Sequence, residues 1–316
     1  MRISTEIKNL ISKQDHTFKH GSLWKKKERW FWLFISPWII GFIGLTLGPI
    51  IYAFAMSFSR FRFTEGLSWV GLRNYQILFS DTVFLKAVSN TIYYAFVSVP
   101  LSLVFSFILA YLLNQKLKGI TFFRTIFFLP TVIQGVAVFM LWGWIFNPRF
   151  GLINFLLRSM GIGNPPIWLE SEIWAMPAII IIGLWSTGWM MLVYLAALQE
   201  IPKELYEACQ IDGGSFTQKI IHITLPMISP VSLFLLITGM ISSMQLYAPA
   251  YVLTQGGPNF ATTTIALLIY YSAFRWNKMG QGAAMAVLLF ISILIFTIIQ
   301  LVLSGKWVHY RTGVDE

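Results

Sequence analysis

The stretch Leu205–Pro226 reads LYEACQIDGGSFTQKIIHITLP. Before it lies the long uncharged run Ile173–Gln199, and its own last residues open another, Ile220–Phe274. The residues predict a helix, a glycine corner and a second helix. Pro202 suits the first helical position, where its missing N–H would be unpaired anyway. Glu204 and Glu207 fall toward the positive end of the helix dipole. Leu205, Ala208 and Cys209 share one face by their i, i+3, i+4 spacing. Gly213 and Gly214 are free to take positive φ and end the helix. Ser215 followed by Gln218 is a capping box. Phe216, Ile220 and Ile223 form the second helix's apolar stripe, and Pro226 marks the turn onward. An amphipathic loop lying on a membrane and a rigid knob that docks into a partner both fit this pattern.

The rest of the chain decides the setting. Of 316 residues, 56% are apolar and 11% are charged, and mean hydropathy is +0.67. Soluble domains carry about a quarter charged residues. This chain cannot cover itself with polar groups, so its outer surface is expected to face lipid. The net charge of +10 suits either nucleic acid or an anionic membrane surface. A single cysteine, Cys209, excludes an internal disulfide and a four-thiolate metal site. His16 and His20 stand four apart in a Lys-rich arm, read as solvated and not as a metal site. The sequence contains no G-x-x-x-x-G-K-[ST] phosphate cradle, no G-x-S-x-G and no H-E-x-x-H. Neither catalytic nor metal-binding residues are predicted.

Six runs lack Asp, Glu, Lys and Arg: Trp30–Ser59, Ala87–Gln115, Thr125–Pro148, Ile173–Gln199, Ile220–Phe274 and Met279–Gly305. Each exceeds the roughly 20 residues a helix needs to cross hydrocarbon. The fifth is too long for one helix and contains the breaker Gln255-Gly256-Gly257-Pro258. Its first half, about Ile228–Val252, is expected to span. Its second half, Phe260–Phe274, is expected to be a partly inserted or surface helix. Six spans result, with seven as the alternative.

With the N-terminus inside, the inner segments carry 15 Lys and Arg and the outer segments 8. The cluster Lys25-Lys26-Lys27-Glu28-Arg29 precedes the first span and is better matched to inner-leaflet lipid than to nucleic acid. The first run is read as an anchor, not a removed signal. Trp30, Trp32, Trp142, Trp144, Trp174, Trp307 and Tyr310 crowd the run ends, as interfacial belts do. The opening stretch therefore falls on the cytoplasmic side, between spans four and five.

Its spacing resembles a known signature. Glu207-Ala208-Cys209, Gly213, Ile223 and Leu225-Pro226 are similar to the E-A-A…G…I-x-L-P pattern of permease subunits of bacterial ABC importers. Tyr206-Glu207-Ala208 and Asp212-Gly213 resemble its sugar branch. Shorter matches are Gly71-Leu72-x-Asn74-Tyr75, Arg124 to Pro130 (RTIFFLP), Gly151-Leu152-Ile153-Asn154 and Thr254 to Pro258 (TQGGP). Cys209 replaces the family's usual second alanine, and Gly214 the sugar branch's usual alanine. The resemblance implies an all-α, six-span permease of the type I ABC importer fold, maltose-type, with cytoplasmic termini in a bacterial plasma membrane. Residues 1–29 would be a basic tail, 30–305 the transmembrane domain with a coupling loop at 199–226, and 306–316 a second tail. It also implies a second homologous permease, two ATPase subunits that bind the ATP and Mg, an extracytoplasmic solute-binding protein and a sugar substrate. The chain itself would bind no cofactor. Glu207, Ala208, Cys209, Asp212, Gly213, Ile223, Leu225 and Pro226 would then couple to the ATPase.

Polar residues within spans are costly and often functional. Ser186, Thr187, Trp189 and Met190 in span four, and Ser242, Ser243, Gln245 and Tyr247 in span five, are candidates for the substrate pathway. The resemblance places solute contacts in these segments. The absence of charge suits a neutral, hydroxyl-rich solute. Ser, Thr and Gly also serve ordinary helix packing, and Asn90 and Gln134 are read as interhelical hydrogen-bonding residues. Outer segments 60–86 and 249–278 are the expected docking surface for the binding protein. A stand-alone channel or secondary carrier is the alternative function. Internal repeats and intramembrane ionisable groups would favour it, and neither is found. A membrane-embedded enzyme would need acidic residues clustered with histidine, which the sequence lacks.

Overall fold

A computed structural model of the chain describes residues 20–62, 66–115, 118–133 and 135–309, without the side chains of 20–26 and 62. His16, Gln134, Tyr310 and the side chains of His20, Lys25 and Lys26 lie outside what is described. The chain forms two compact units, residues 1–53 and 54–316. The first holds the helix His20–Gly41, a π-helical turn, Phe42–Leu47, and the start of the helix Gly48–Ser57. Trp38 stacks on Phe42 there, with ring centroids 5.3 Å apart.

Three helices are long and apolar enough to span unbroken: Lys27–Ser57, Thr82–Leu113 and Met279–Ser304. Three bent pairs are long and apolar enough when taken together: Ile120–Val132 with Val136–Ile145, Ala175–Trp185 with Gly188–Gln199, and Phe216–Met227 with Ser229–Met244. Counted as one span each, the bent pairs bring the total to six, the expected number, but the expected continuity fails in three places. The third run turns by 108° near Gly135, which takes φ +119°, open to glycine alone at little cost. The fourth bends by 46° at Ser186-Thr187. The fifth helix ends at Met244, not Val252. Ala248 and Pro249 already open the next helical segment, where a missing proline N–H is harmless.

The segment Ile265–Arg275 is a short apolar helix, as its length predicted. It is not a surface helix, however. Ile265 and Leu268 are buried against the second and last spans, and Leu267 is buried in the cluster with Tyr94 and Leu246. The loop before it is tied down by side chains. Asn90 donates to the carbonyls of Phe260 (2.7 Å) and Thr263 (2.9 Å), so it ties its helix to this loop, where a bond between helices was expected. Thr264 Oγ1 donates to Leu246 O, at the end of the broken fifth span. Such irregular backbone is tolerated at membrane depth only when protein surrounds it.

The helix Thr82–Leu113 is central, packed against Ala175–Trp185, Gly188–Gln199 and Ser229–Met244. Its 32 residues carry a buried stripe of small side chains: Ala87, Thr91, Ala95, Ser98, Ser102, Ser106 and Ala110. Small residues let helix backbones approach where lipid supplies no hydrophobic drive. Gly188 does the same across the bundle. A Cβ there would stand 2.5 Å from Phe127 O and 2.6 Å from Thr131 Oγ1.

Hydrogen bonds and packing sort the connections into two groups. At one end Arg124 Nη2 donates to Leu113 O (2.8 Å), Tyr206 meets Thr224, and His309 N–H donates to Ser229 Oγ (2.9 Å). At the other, Asn74 Nδ2 donates to Ser57 O (2.8 Å) and Ser59 O (3.0 Å), and Lys86 Nζ donates to Asn259 O (2.7 Å). The second group includes the β-hairpin Ser59–Arg62 with Gly66–Trp69.

Candidate functional site

The elbow at 199–229 is built much as its residues predict. Its first helix is Lys203–Ile211, with Glu204 in the first turn. Pro202 is the N-cap, one position before the expected one, because its ψ of 134° is extended. Glu207 lies beyond the first turn, so the dipole acts chiefly on Glu204. Gly213 is left-handed at φ +76°. Gly214 does not share that conformation. It is required instead by close approach, since a Cβ there would overlap the Cys209 sulfur. The capping box forms in both directions: Ser215 N–H donates to Gln218 Oε1 (2.6 Å), and Gln218 N–H to Ser215 Oγ (3.3 Å). The second helix, Phe216–Lys219, continues through a π turn, Ile220–Thr224, into Leu225–Met227.

The elbow has two faces. Tyr206 points inward. Its hydroxyl pairs with Thr224 Oγ1 at 3.0 Å, and its ring joins Leu198, Ile201, Ile223 and Ile228 in one core cluster. Leu205, Glu207, Ala208, Asp212 and Gly213 are exposed, Cys209 is half-buried, and Ile211 is 87% exposed. Pro226 is half-buried and Leu225 exposed, while Ile223 packs inward. The eight coupling candidates thus form one continuous piece with an uncovered apolar side. Tyr206 was missed as its anchor. Its position opposite Ala208 on the helix was the available signal.

The pathway candidates separate. Trp189, Met190, Ser242 and Ser243 line one cavity of about 250 Å³, together with Tyr94 and Ser98 of the central helix. Ser98 is 3% exposed and stands beside Tyr94 in the cavity wall. Ser243 Oγ donates back to Met240 O at 3.0 Å. Ser186 faces a neighbouring cavity of about 510 Å³, bordered by Tyr94 and Pro249. Thr187 is buried, donates to Leu184 O, and lines a separate, apolar cavity. Gln245 turns back onto Ile241 O (3.1 Å). Tyr247 belongs to an aromatic cluster, stacked on Tyr251 at 5.5 Å and beside Tyr270 at 5.2 Å. The serine stripe of the central helix was not anticipated as a cavity wall, although its spacing was readable.

Over residues 79–309 the chain matches the profile of the family described as binding-protein-dependent transport system inner membrane component. It belongs to that family. The permease is 35% identical over 283 residues to the probable ABC transporter permease protein YesP of Bacillus subtilis (strain 168), covering 88% of this chain and 91% of that one. It is 35% identical over 272 residues to the trehalose/maltose transport system permease protein MalF of Thermococcus litoralis, covering 85% and 92%. Its fold matches a chain of a bacterial alginate ABC transporter, solved in complex with an alginate pentasaccharide-bound periplasmic protein. The TM-score is 0.78 at 25% identity, over 92% of this chain and 99% of the other. The protein is therefore a multi-pass membrane permease with the type I ABC importer permease fold. Its relatives are named as transport subunits, not enzymes.

Proposed function

We propose that this permease forms half of the translocation pathway of an ATP-driven, binding-protein-dependent sugar importer, and couples to an ATPase subunit through the elbow 199–226. The uncovered side of that elbow carries the proposal. Leu205, Ala208 and Ile211 expose apolar surface on a helix that Tyr206 ties to Thr224. A surface so fixed is suited to pass force to the spans through the 65° bend into Ser229–Met244.

Orientation follows from charge. With 15 Lys and Arg against 8, the elbow and both termini are cytoplasmic. ATP and Mg belong to two partner ATPase chains, and this chain binds no cofactor. A second homologous permease completes the pathway as a heterodimer, and an extracytoplasmic binding protein delivers the solute. The cavity beside Ser98, Trp189 and Ser242 is uncharged and offers hydroxyls and an indole face, which suit a neutral sugar. Relatives named for sugar transport support that class.

Copurification tests the coupling. Ala208→Lys should remove the ATPase subunit from the purified assembly while membrane insertion is unchanged. Retention of a fully coupled ATPase by this variant would overturn the docking assignment.

A further inference from the structure

The end of the molecule opposite the elbow holds a second polar feature. A cleft of about 290 Å³ is lined by Arg60, Arg73 and Lys278, with Asn74, Asn277 and Gln281. These cations come from three separate segments: the β-hairpin, the start of the helix Arg73–Ser80, and the residue preceding the last span. They are three of the eight Lys and Arg that the sequence assigns to that side. Among the described residues, no carboxylate lines the cleft.

Its floor is firm. The buried Asn74 amide donates to Ser57 O and Ser59 O. Gly280 packs so closely that a Cβ would overlap the Ser59 carbonyl. The cations thus line one cleft on a fixed base, an arrangement that suits an anion. Their level relative to the membrane narrows the choice. Arg60 follows the first apolar helix, which ends at Ser57, and Lys278 precedes the last, which begins at Met279. Residues that border apolar spans in this way fall where hydrocarbon gives way to headgroups. Exposed Trp69 and Trp276 flank them, as aromatic residues do at that depth. Val70 and Ile77 add an apolar wall to the cleft.

We infer that this cleft binds the phosphate headgroup of an anionic phospholipid. Arg60 and Arg73 supply planar donor forks for the phosphate oxygens, and Lys278 supplies a third positive charge. The inference needs neither the sugar reading nor the ATPase reading.

The test uses the full chain purified in mixed micelles, with phosphatidylglycerol and phosphatidylcholine as probes and bound lipid counted by native mass spectrometry. The wild type should retain phosphatidylglycerol preferentially and gain thermal stability from it. Each of Arg60→Gln, Arg73→Gln and Lys278→Gln should weaken that preference about fivefold. Arg149→Gln, outside the cleft, should leave it unchanged, and Arg73→Lys should keep most of it, which separates lost charge from lost folding. Equal retention of the two lipids by the wild type would overturn the inference. So would an unchanged preference in all three Gln variants. Stabilisation by soluble glycerol phosphate to the same extent as by the lipid would reassign the cleft to a free phosphate. Loss of binding-protein association in the Gln variants with lipid preference intact would reassign it to an acidic protein surface.

Discussion

The backbone N–H of Gly214 donates to the carbonyl of Cys209 at 2.8 Å, and a Cβ on Gly214 would overlap the Cys209 sulfur. The two departures from the family pattern thus meet in space. A larger residue at 209 is matched by a smaller one at 214, and the elbow keeps its corner.

This pairing predicts an asymmetric result. Gly214→Ala should destabilise the protein by about 1–3 kcal/mol through overpacking. Cys209→Ala alone should cost little, because the side chain is small and half-buried. The double variant should recover only part of the loss, since the Cβ would still lie 2.7 Å from Cys209 O. Thermal unfolding of the four proteins gives the coupling. Strict additivity would show that the sulfur does not set the size of residue 214.

Gly213 is governed by conformation instead of space. Nothing lies within 4 Å of a Cβ built there, but φ is +76°. Gly213→Asn should therefore be mild and Gly213→Val severe, the latter costing about 1–2 kcal/mol at the corner. Solute-stimulated ATP hydrolysis by the assembled transporter should fall in the same order. Equal activity of the two variants would exclude a left-handed requirement.

Tyr206 is the anchor of the elbow. Tyr206→Phe removes the hydroxyl pair with Thr224 and should cost about 0.5–1.5 kcal/mol. Amide hydrogen exchange should quicken at 203–211 while the central helix stays protected. Unaltered exchange would mean that ring packing alone holds the elbow.

The central helix supplies a wall of the cavity, so Ser98→Val should fill space beside Trp189 and Ser242 and slow solute uptake. Gln245→Ala should change uptake less, because that side chain is already turned onto Ile241 O. Uptake assays in vesicles decide between them. A larger effect at 245 than at 98 would move the pathway to the break in span five.

Gly188 sets the spacing between spans three and four. Gly188→Ala should lower stability by about 1–3 kcal/mol, as its Cβ meets a backbone carbonyl that cannot move aside cheaply. A melting temperature equal to wild type would show that the two helices separate without penalty.

Much of this protein was legible in the chain. Runs without charge gave the number of spans, because each ion in hydrocarbon is costly and helices alone satisfy the backbone there. The elbow's corner and capping box were readable because Gly213, Ser215 and Gln218 act on groups within a few residues of themselves. The breaks beside Gly135, at 186–187 and at 245–247 were decided by tertiary structure, since hydropathy measures burial in lipid and not the path of the backbone. Thr264 satisfying Leu246 O across 18 residues is a pairing no local pattern announces. The same holds for the cavity, where Ser98 meets residues from two other spans, and for the cleft, where Arg60, Arg73 and Lys278 converge from distant positions. Local spacing set each element, and packing of the small-residue stripe set which elements share a wall.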